Sequence, residues 1–281
     1  MLQANWQTLI DKFSAQCDWV GIREYREITD MITARSGKPE PTNSDVSHGV
    51  MVEVLKEGQF AYCGTVDLTD SGVFTAFQRA LYLAKSCSKY KILPFDKSIR
   101  PANSGSYKSA VQNSIDSLSF AEIQQKMITV TEQMKVGEEI IDRWAYSRLI
   151  RTAIHYTCSN GSEWTQEFSI VSKDFGCTAQ SGKEVQNRSF GLNGLQTGLE
   201  DLDDVILEEN AVRVGKQAIE LLSAADCPSD CRDLILAPDQ LYLQVHESIG
   251  HPLEIDRILG DERNYAGWSF ISPEDFGTLQ Y

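Results

Sequence analysis

Leu2, Trp6, Leu9, Ile10, Phe13 and Cys17 recur at the three- and four-residue spacing of one helical face. The apolar period then drops to two. Trp19 to Thr29, Met31 to Arg35, and the runs Val50 to Leu55 and Gln59 to Val66 predict strands, the last two joined as a hairpin at Lys56-Glu57-Gly58. The helical period returns in Phe74, Phe77, Leu81 and Ala84, behind a cap near Thr69-Asp70-Ser71. Strands bracketed by amphipathic helices predict a sheet with helices on one side.

Residues 98–116, with Pro101, Asn103, Ser104, Gly105 and further serines, have the composition of a linker. Beyond it, Ser119 and Glu122 make a capping box, with Leu118 and Ile123 as its staple. Ile123, Met127, Val130 and Met134 carry that helix to about Lys135. Tyr146 to Thr157 and Ser162 to Val171 predict a second hairpin, turning at Ser159-Asn160-Gly161-Ser162. An ordinary sheet hairpin is favoured there over an edge that receives an extended peptide. Gly191, Gly194 and Gly198 predict a loop, which Arg188 and Phe190 could bring near a substrate. Six acids between Glu200 and Glu209 open a helix striped by Leu207, Ala211, Val214, Ala218 and Leu221. Acids at a helix start face its positive end, so they need no cation.

The expected architecture is α+β: two helix-flanked sheet regions, mixed or antiparallel, followed by the start of a β-rich catalytic domain. Its expected divisions are an N-terminal domain at residues 1–97, a linker at 98–116, a middle region at 117–230 and the last segment at 231–281.

The last segment carries the chemistry. Leu234-Ile235-Leu236-Ala237 reads as a buried strand closed by Pro238-Asp239, with Asp239 a candidate cap. Leu241, Tyr242, Leu243, Val245 and Ile249 then make a helix apolar on most sides, as a helix in a protein core would be. On it stand His246-Glu247-Ser248-Ile249-Gly250-His251. Two imidazoles are good zinc ligands, and a neighbouring carboxylate can take a proton from a water acidified by the metal. Glu247 is that carboxylate by adjacency.

The histidines are five positions apart, not the four that align two rings on one helical face. At ~100° per residue the second ring would lie about 140° round a regular helix. Either a single π turn restores alignment, or the helix ends at Gly250 and presents His251 from its exit. Pro252 favours the second, since it biases the preceding residue away from helical backbone. Glu254, Asp256 and Glu262 are candidates to hold an imidazole by its other ring N–H.

The run from His246 to Glu254, with Asp256-Arg257 and Leu259-Gly260, resembles the metal signature of the TldD/PmbA family. Cys227-Pro228-Ser229 before it and Pro273-Glu274-Asp275 and Gly277 after it fit the same likeness. It resembles the TldD branch, because the PmbA (TldE) branch lacks the histidine signature. The likeness runs from about Asp18 onward and is strongest after Cys227. It implies a zinc metallopeptidase acting on unfolded peptides, as a heterodimer with a PmbA/TldE-like paralogue or as a homodimer. His246 and His251 would be ligands and Glu247 the general base. The family's third ligand is a cysteine far downstream in a β-rich domain, which these residues do not reach. A subunit that binds peptide or partner without catalysis is the alternative.

Composition narrows the partners. Forty acids against 26 bases give a formal net charge of -14, which argues against nucleic acid and anionic lipid. No apolar run approaches a membrane span and Met1 to Trp6 lacks a signal-peptide pattern, so the expected compartment is the cytoplasm. Seven cysteines, an odd number in a large chain, are expected as free thiols. Cys227 and Cys231 are weak contenders for a ligand, because no second pair completes a zinc spacing. Gly176 to Lys183 is no phosphate loop, since its glycines are one residue too far apart and Glu184 stands where Ser or Thr is required. His48 and His155 sit in strand contexts and read as structural.

Overall fold

The structure, a computed structural model, describes residues 6–91, 94–265 and 267–278, and the side chains at 192 and 193 are outside the description. Leu2, expected on the first helical face, lies outside the described residues. The chain divides into two compact units, residues 1–224 and 225–281.

The first unit is α+β, built on one eight-stranded sheet. Helix α1 (Gln7–Ser14) leads into β1 (Trp19–Arg35), a single 17-residue strand where two runs were expected. The two-residue strand β2 (Lys38–Pro39) turns back against it, and β3 (Asn43–Lys56) then pairs along it. The turn to β4 (Gln59–Thr65) places Glu57 and Gly58 at φ 55° and 76°, the two left-handed positions of a tight hairpin turn. Helix α2 (Asp70–Cys87) follows, capped by Thr69, whose side chain accepts from the Gly72 N–H.

The 98–116 stretch, expected as a linker, holds strand β5 (Ser104–Lys108) and joins the sheet. Helix α3 (Phe120–Gln133) starts at the expected Ser119–Glu122 capping box, with both of its reciprocal bonds formed. Strands β6 (Ile140–Cys158), β7 (Glu163–Ser181) and β8 (Glu184–Leu195) then run antiparallel in sequence, and helix α4 (Asp204–Leu221) closes the unit. Sheet order is β4-β3-β1-β6-β7-β5, with β8 also on β7. The expected N-terminal and middle regions therefore share one sheet, because β1 pairs with β6 from Gly21 to Arg35. Among the described residues only the β5–β7 pair is parallel, so the sheet is mixed.

The period-two pattern of β1 explains where the helices sit. Val20 and Ile22 pack with α1 and α2, and Ile32 and Ala34 pack with α3 and α4. All four are even-numbered and face one side of the sheet, so both helix pairs cover the same face. Between the pairs that face turns polar. Glu24, fully buried, accepts from Trp6 Nε1 at 3.0 Å and lies 2.8 Å from His48 Nε2. Asp30, also buried, meets Arg151 Nη1 at 2.7 Å and Ser44 Oγ at 2.6 Å. His48 and His155 thus sit in strands, as expected, and His155 Nε2 lies 3.4 Å from Glu163.

Of the three glycines expected in a loop, Gly191 and Gly194 lie in β8 and Gly198 follows it. Phe190 packs on Phe175 at 5.4 Å, and the exposed Arg188 bonds Gln217. The acids after it have the structural work anticipated for them. Asp203 caps α4 by accepting from Val205 and Ile206, and Asp204 pairs with Lys126.

Glu200 does more than the pattern showed. Its carboxylate accepts from the backbone N–H of Gln112, Asn113 and Gly198 and from the Thr197 hydroxyl, at 2.7–3.0 Å. Burial would raise its pKa, but these four donors hold it far below the usual carboxylate range. It fastens the 112–113 backbone to the turn before α4. Glu200→Gln is expected to lower the Tm of the chain by about 4 °C near pH 7. Since the native carboxyl titrates below its unfolded counterpart, the stabilisation is complete above the ordinary carboxylate range and is lost in acid. The deficit should therefore shrink below about pH 4, as thermal melts across pH would record.

Candidate metal centre

The second unit opens without the expected strand. Leu234 and Ile235 are exposed and, among the described residues, no strand pairs with them. A strand needs a partner for its backbone groups, and none is offered here. Helix α5 (Pro238–Val245) begins two residues earlier than an Asp239 cap would allow. Ala237 is its extended flanking residue, and Pro238 occupies the first helical position, where its missing N–H and fixed φ suit it. Asp239 instead places its charge in the first turn.

At His246 the winding changes. Residues His246–Gly250 form a π turn, and the His251 N–H donates to the His246 carbonyl, five residues back. The first remedy for the five-residue spacing is therefore the one adopted. Gly250 and His251 keep helical backbone (φ -56° and -62°), so the helix does not end at Gly250 as Pro252 suggested. Pro252 falls in the first positions of the short tight turn His251–Leu253, where it has no bond to lose. Helix α6 (Ile255–Leu259) follows and stops at Gly260, whose φ of 86° closes it.

One inserted residue absorbs one ~100° step, so five positions do here what four do in a regular helix. The His246 and His251 rings approach to 4.2 Å between centroids at an interplanar angle of 70°. Ligand atoms of His246, Glu247 and His251 all lie within 4.8 Å of one another. No other group of three such side chains meets that test among the described residues. Cys227 and Cys231 are exposed and do not join it.

Of the three acids considered as ring holders, Glu254 takes the place. Its Oε1 lies 3.0 Å from His251 Nδ1, and its Oε2 lies 2.7 Å from Arg257 Nε. A proton on Nδ1 donated to Glu254 leaves Nε2 as the lone-pair nitrogen for a cation. Asp256 instead accepts from the Arg257 N–H, and Glu262 lies 3.9 Å from Arg257. The donor set, two imidazole nitrogens and one carboxylate, with one ring held through its far nitrogen, fits a zinc-type ion as two ligands and a neighbouring base.

The helix was expected inside a core, and it is not. Leu241, Tyr242, Leu243, Val245 and Ile249 are 41–65% exposed. Ile258, Ser269 and Ile271 are the buried residues of this unit among those described. The Trp268–Ile271 segment has no regular structure and is tied down where the Ser269 hydroxyl donates to the Pro252 carbonyl at 2.7 Å.

Replacing Glu254 with Ala is expected to free the His251 ring. In metal-free protein, imidazole 15N shifts should move from the Nδ1–H tautomer toward a mixture, while His246 stays unchanged.

Residues 20–84 match the family description "PmbA/TldA metallopeptidase domain 1". The chain is similar to a metalloprotease of Methanocaldococcus jannaschii, 23% identical over 285 residues covering 96% of this chain and 61% of that protein. It is also similar to a metalloprotease of Methanothermobacter thermautotrophicus, 24% identical over 246 residues, 86% of this chain and 52% of that one. The chain thus spans between half and three fifths of the length of these curated relatives. Among solved structures, a Thermotoga maritima protein described as a candidate modulator of a DNA gyrase aligns at TM-score 0.62, with 16% identity over 80% of this chain and 50% of its own. TldE of Thermococcus kodakarensis aligns at 0.61, with 14% identity over 77% and 47%. At these identities the structural likeness establishes the fold.

Proposed function

Because the chain belongs to the TldD/PmbA family, we propose that it is the metal-bearing part of a zinc-dependent peptidase that hydrolyses peptide bonds in unfolded polypeptides. The observation that carries this reading is the π turn, which brings His246 and His251 onto one side with Glu247 beside them. Metalloprotease relatives that align over most of this chain support it.

In this reading His246 and His251 hold the ion, and Glu254 fixes His251 so that Nε2 faces it. Bound zinc would supply Lewis acidity toward the peptide carbonyl and lower the pKa of a coordinated water toward ~7. Glu247 would take a proton from the attacking water and deliver it to the leaving amine. The third protein ligand is proposed to lie outside these residues, in line with relatives that are longer than this chain.

The working assembly is proposed as a dimer, with a PmbA/TldE-like paralogue or with a second copy. No helix among the described residues is long and apolar enough to cross a membrane, and the proposed compartment is the cytoplasm. A subunit that binds peptide without cleaving it is the competing reading, and the uncovered apolar face of α5 is what favours it.

Two variants of the full natural reading frame separate these readings. Glu247→Gln is expected to keep stoichiometric zinc by elemental analysis and to lose about 10²–10⁴-fold in cleavage of unstructured peptides. His246→Ala is expected to lose both metal and cleavage. Undiminished turnover by Glu247→Gln would remove that residue from the mechanism, and carefully prepared wild-type protein without zinc would favour the binding subunit.

A further inference from the structure

The two helix pairs of the first unit leave a gap on the face they share, and the gap is a cavity of about 230 Å³. Its floor is Arg26 and Ile28 of β1 with Ala153 of β6, and Ser169 of β7 stands at one side. The far wall is residues 108–116, which leave strand β5 and return toward α3.

This wall is fixed in several places. Glu200 binds the backbone N–H of Gln112 and Asn113, and the Leu199 N–H donates to the Asn113 carbonyl at 2.8 Å. The buried Ser109 accepts from the Ser169 N–H at 3.1 Å, while its own N–H donates to the Glu167 carbonyl. The cavity is therefore preformed, and needs no ordering to receive a ligand.

Its charges are matched with one exception. Lys108 pairs with Glu167 at 2.9 Å, and Arg151 lies between Asp30 and Asp116 at 2.7 and 2.9 Å. The side chain of Arg26, half-buried on the floor, has no ion pair or hydrogen bond to a described residue. An unpaired guanidinium presents a planar fork that matches a carboxylate in two parallel bonds. Around it stand the apolar side chains of Ile28, Val111, Ile115 and Ala153. Such a wall suits a hydrocarbon side chain and disfavours a fully hydrated inorganic anion.

We propose that this cavity is a binding site for a small amphipathic carboxylate, with the ligand's carboxylate on Arg26 and its apolar side chain among Ile28, Val111 and Ile115. The chemistry is shared by a free apolar amino acid and by the last residue of a peptide with a free C-terminus. The site lies within the first unit and involves none of the histidines of the second, so it stands whether or not the metal reading does.

The test is calorimetric titration of the metal-free chain with N-acetyl-leucine, with N-acetyl-leucinamide, and with a leucine-ended pentapeptide carrying a free or an amidated C-terminus. Saturable binding of N-acetyl-leucine is expected, at least about tenfold weaker for its amide. Arg26→Gln should weaken it by the same factor without changing the Tm, and Arg26→Lys should recover part of the loss. Pentapeptide binding that requires the free terminus would identify a peptide end as the source. Binding of N-acetyl-leucine without either pentapeptide, reproduced by leucine itself, would identify a free amino acid. Equal binding of acid and amide, unchanged binding by Arg26→Gln, or no saturation up to about 10 mM would overturn the proposal.

Discussion

Strand β1 is hydrogen-bonded on both sides for most of its length, to β3 from Trp19 to Met31 and to β6 from Gly21 to Arg35. Backbone groups in the middle of a sheet must all be paired, so this one segment joins what composition alone would divide into two domains. Side-chain alternation then follows without freedom. A slip of one residue would send Val20, Ile22, Ile32 and Ala34 to the side that has no helices, and Glu24 and Asp30 with them. Both helix pairs owe their common face to that single register.

The second unit obeys a different constraint. It buries few side chains among those described, so its local geometry rests on backbone bonds and short-range contacts. The His251–His246 bond sets the winding, Glu254 and Arg257 hold the second ring, and Ser269 secures the chain beyond Pro252. A candidate metal centre assembled in this way keeps its pair of nitrogens within one stretch of chain. It does not depend on a distant strand being placed correctly.

Much of this was legible in the residues. The Ser119–Glu122 box, the Thr69 cap and the hairpin at Glu57-Gly58 are local devices, and local devices can be read locally. The need for abnormal winding between His246 and His251 was equally plain, because it follows from arithmetic on the helical repeat. Which remedy was used could not be read, since Pro252 argues for an exit while the N–H of His251 decides for a π turn. The 98–116 stretch misled because serine and glycine are as common in a short edge strand and its turns as in a linker. Leu234 to Ala237 misled for the opposite reason: its apolar side chains have the pattern of a strand, but a pattern supplies no neighbour. Glu200 gave no signal, because two of its four donors come from residues almost ninety positions away.

A helix carrying one surplus residue can also shed it. Were the His246 carbonyl to take its bond from Gly250, ordinary winding would return and the two imidazoles would part by about 140°. Any cation gripping both nitrogens would favour the wide form by its differential affinity for it. The surplus residue is therefore what would let two rings five positions apart serve one ion.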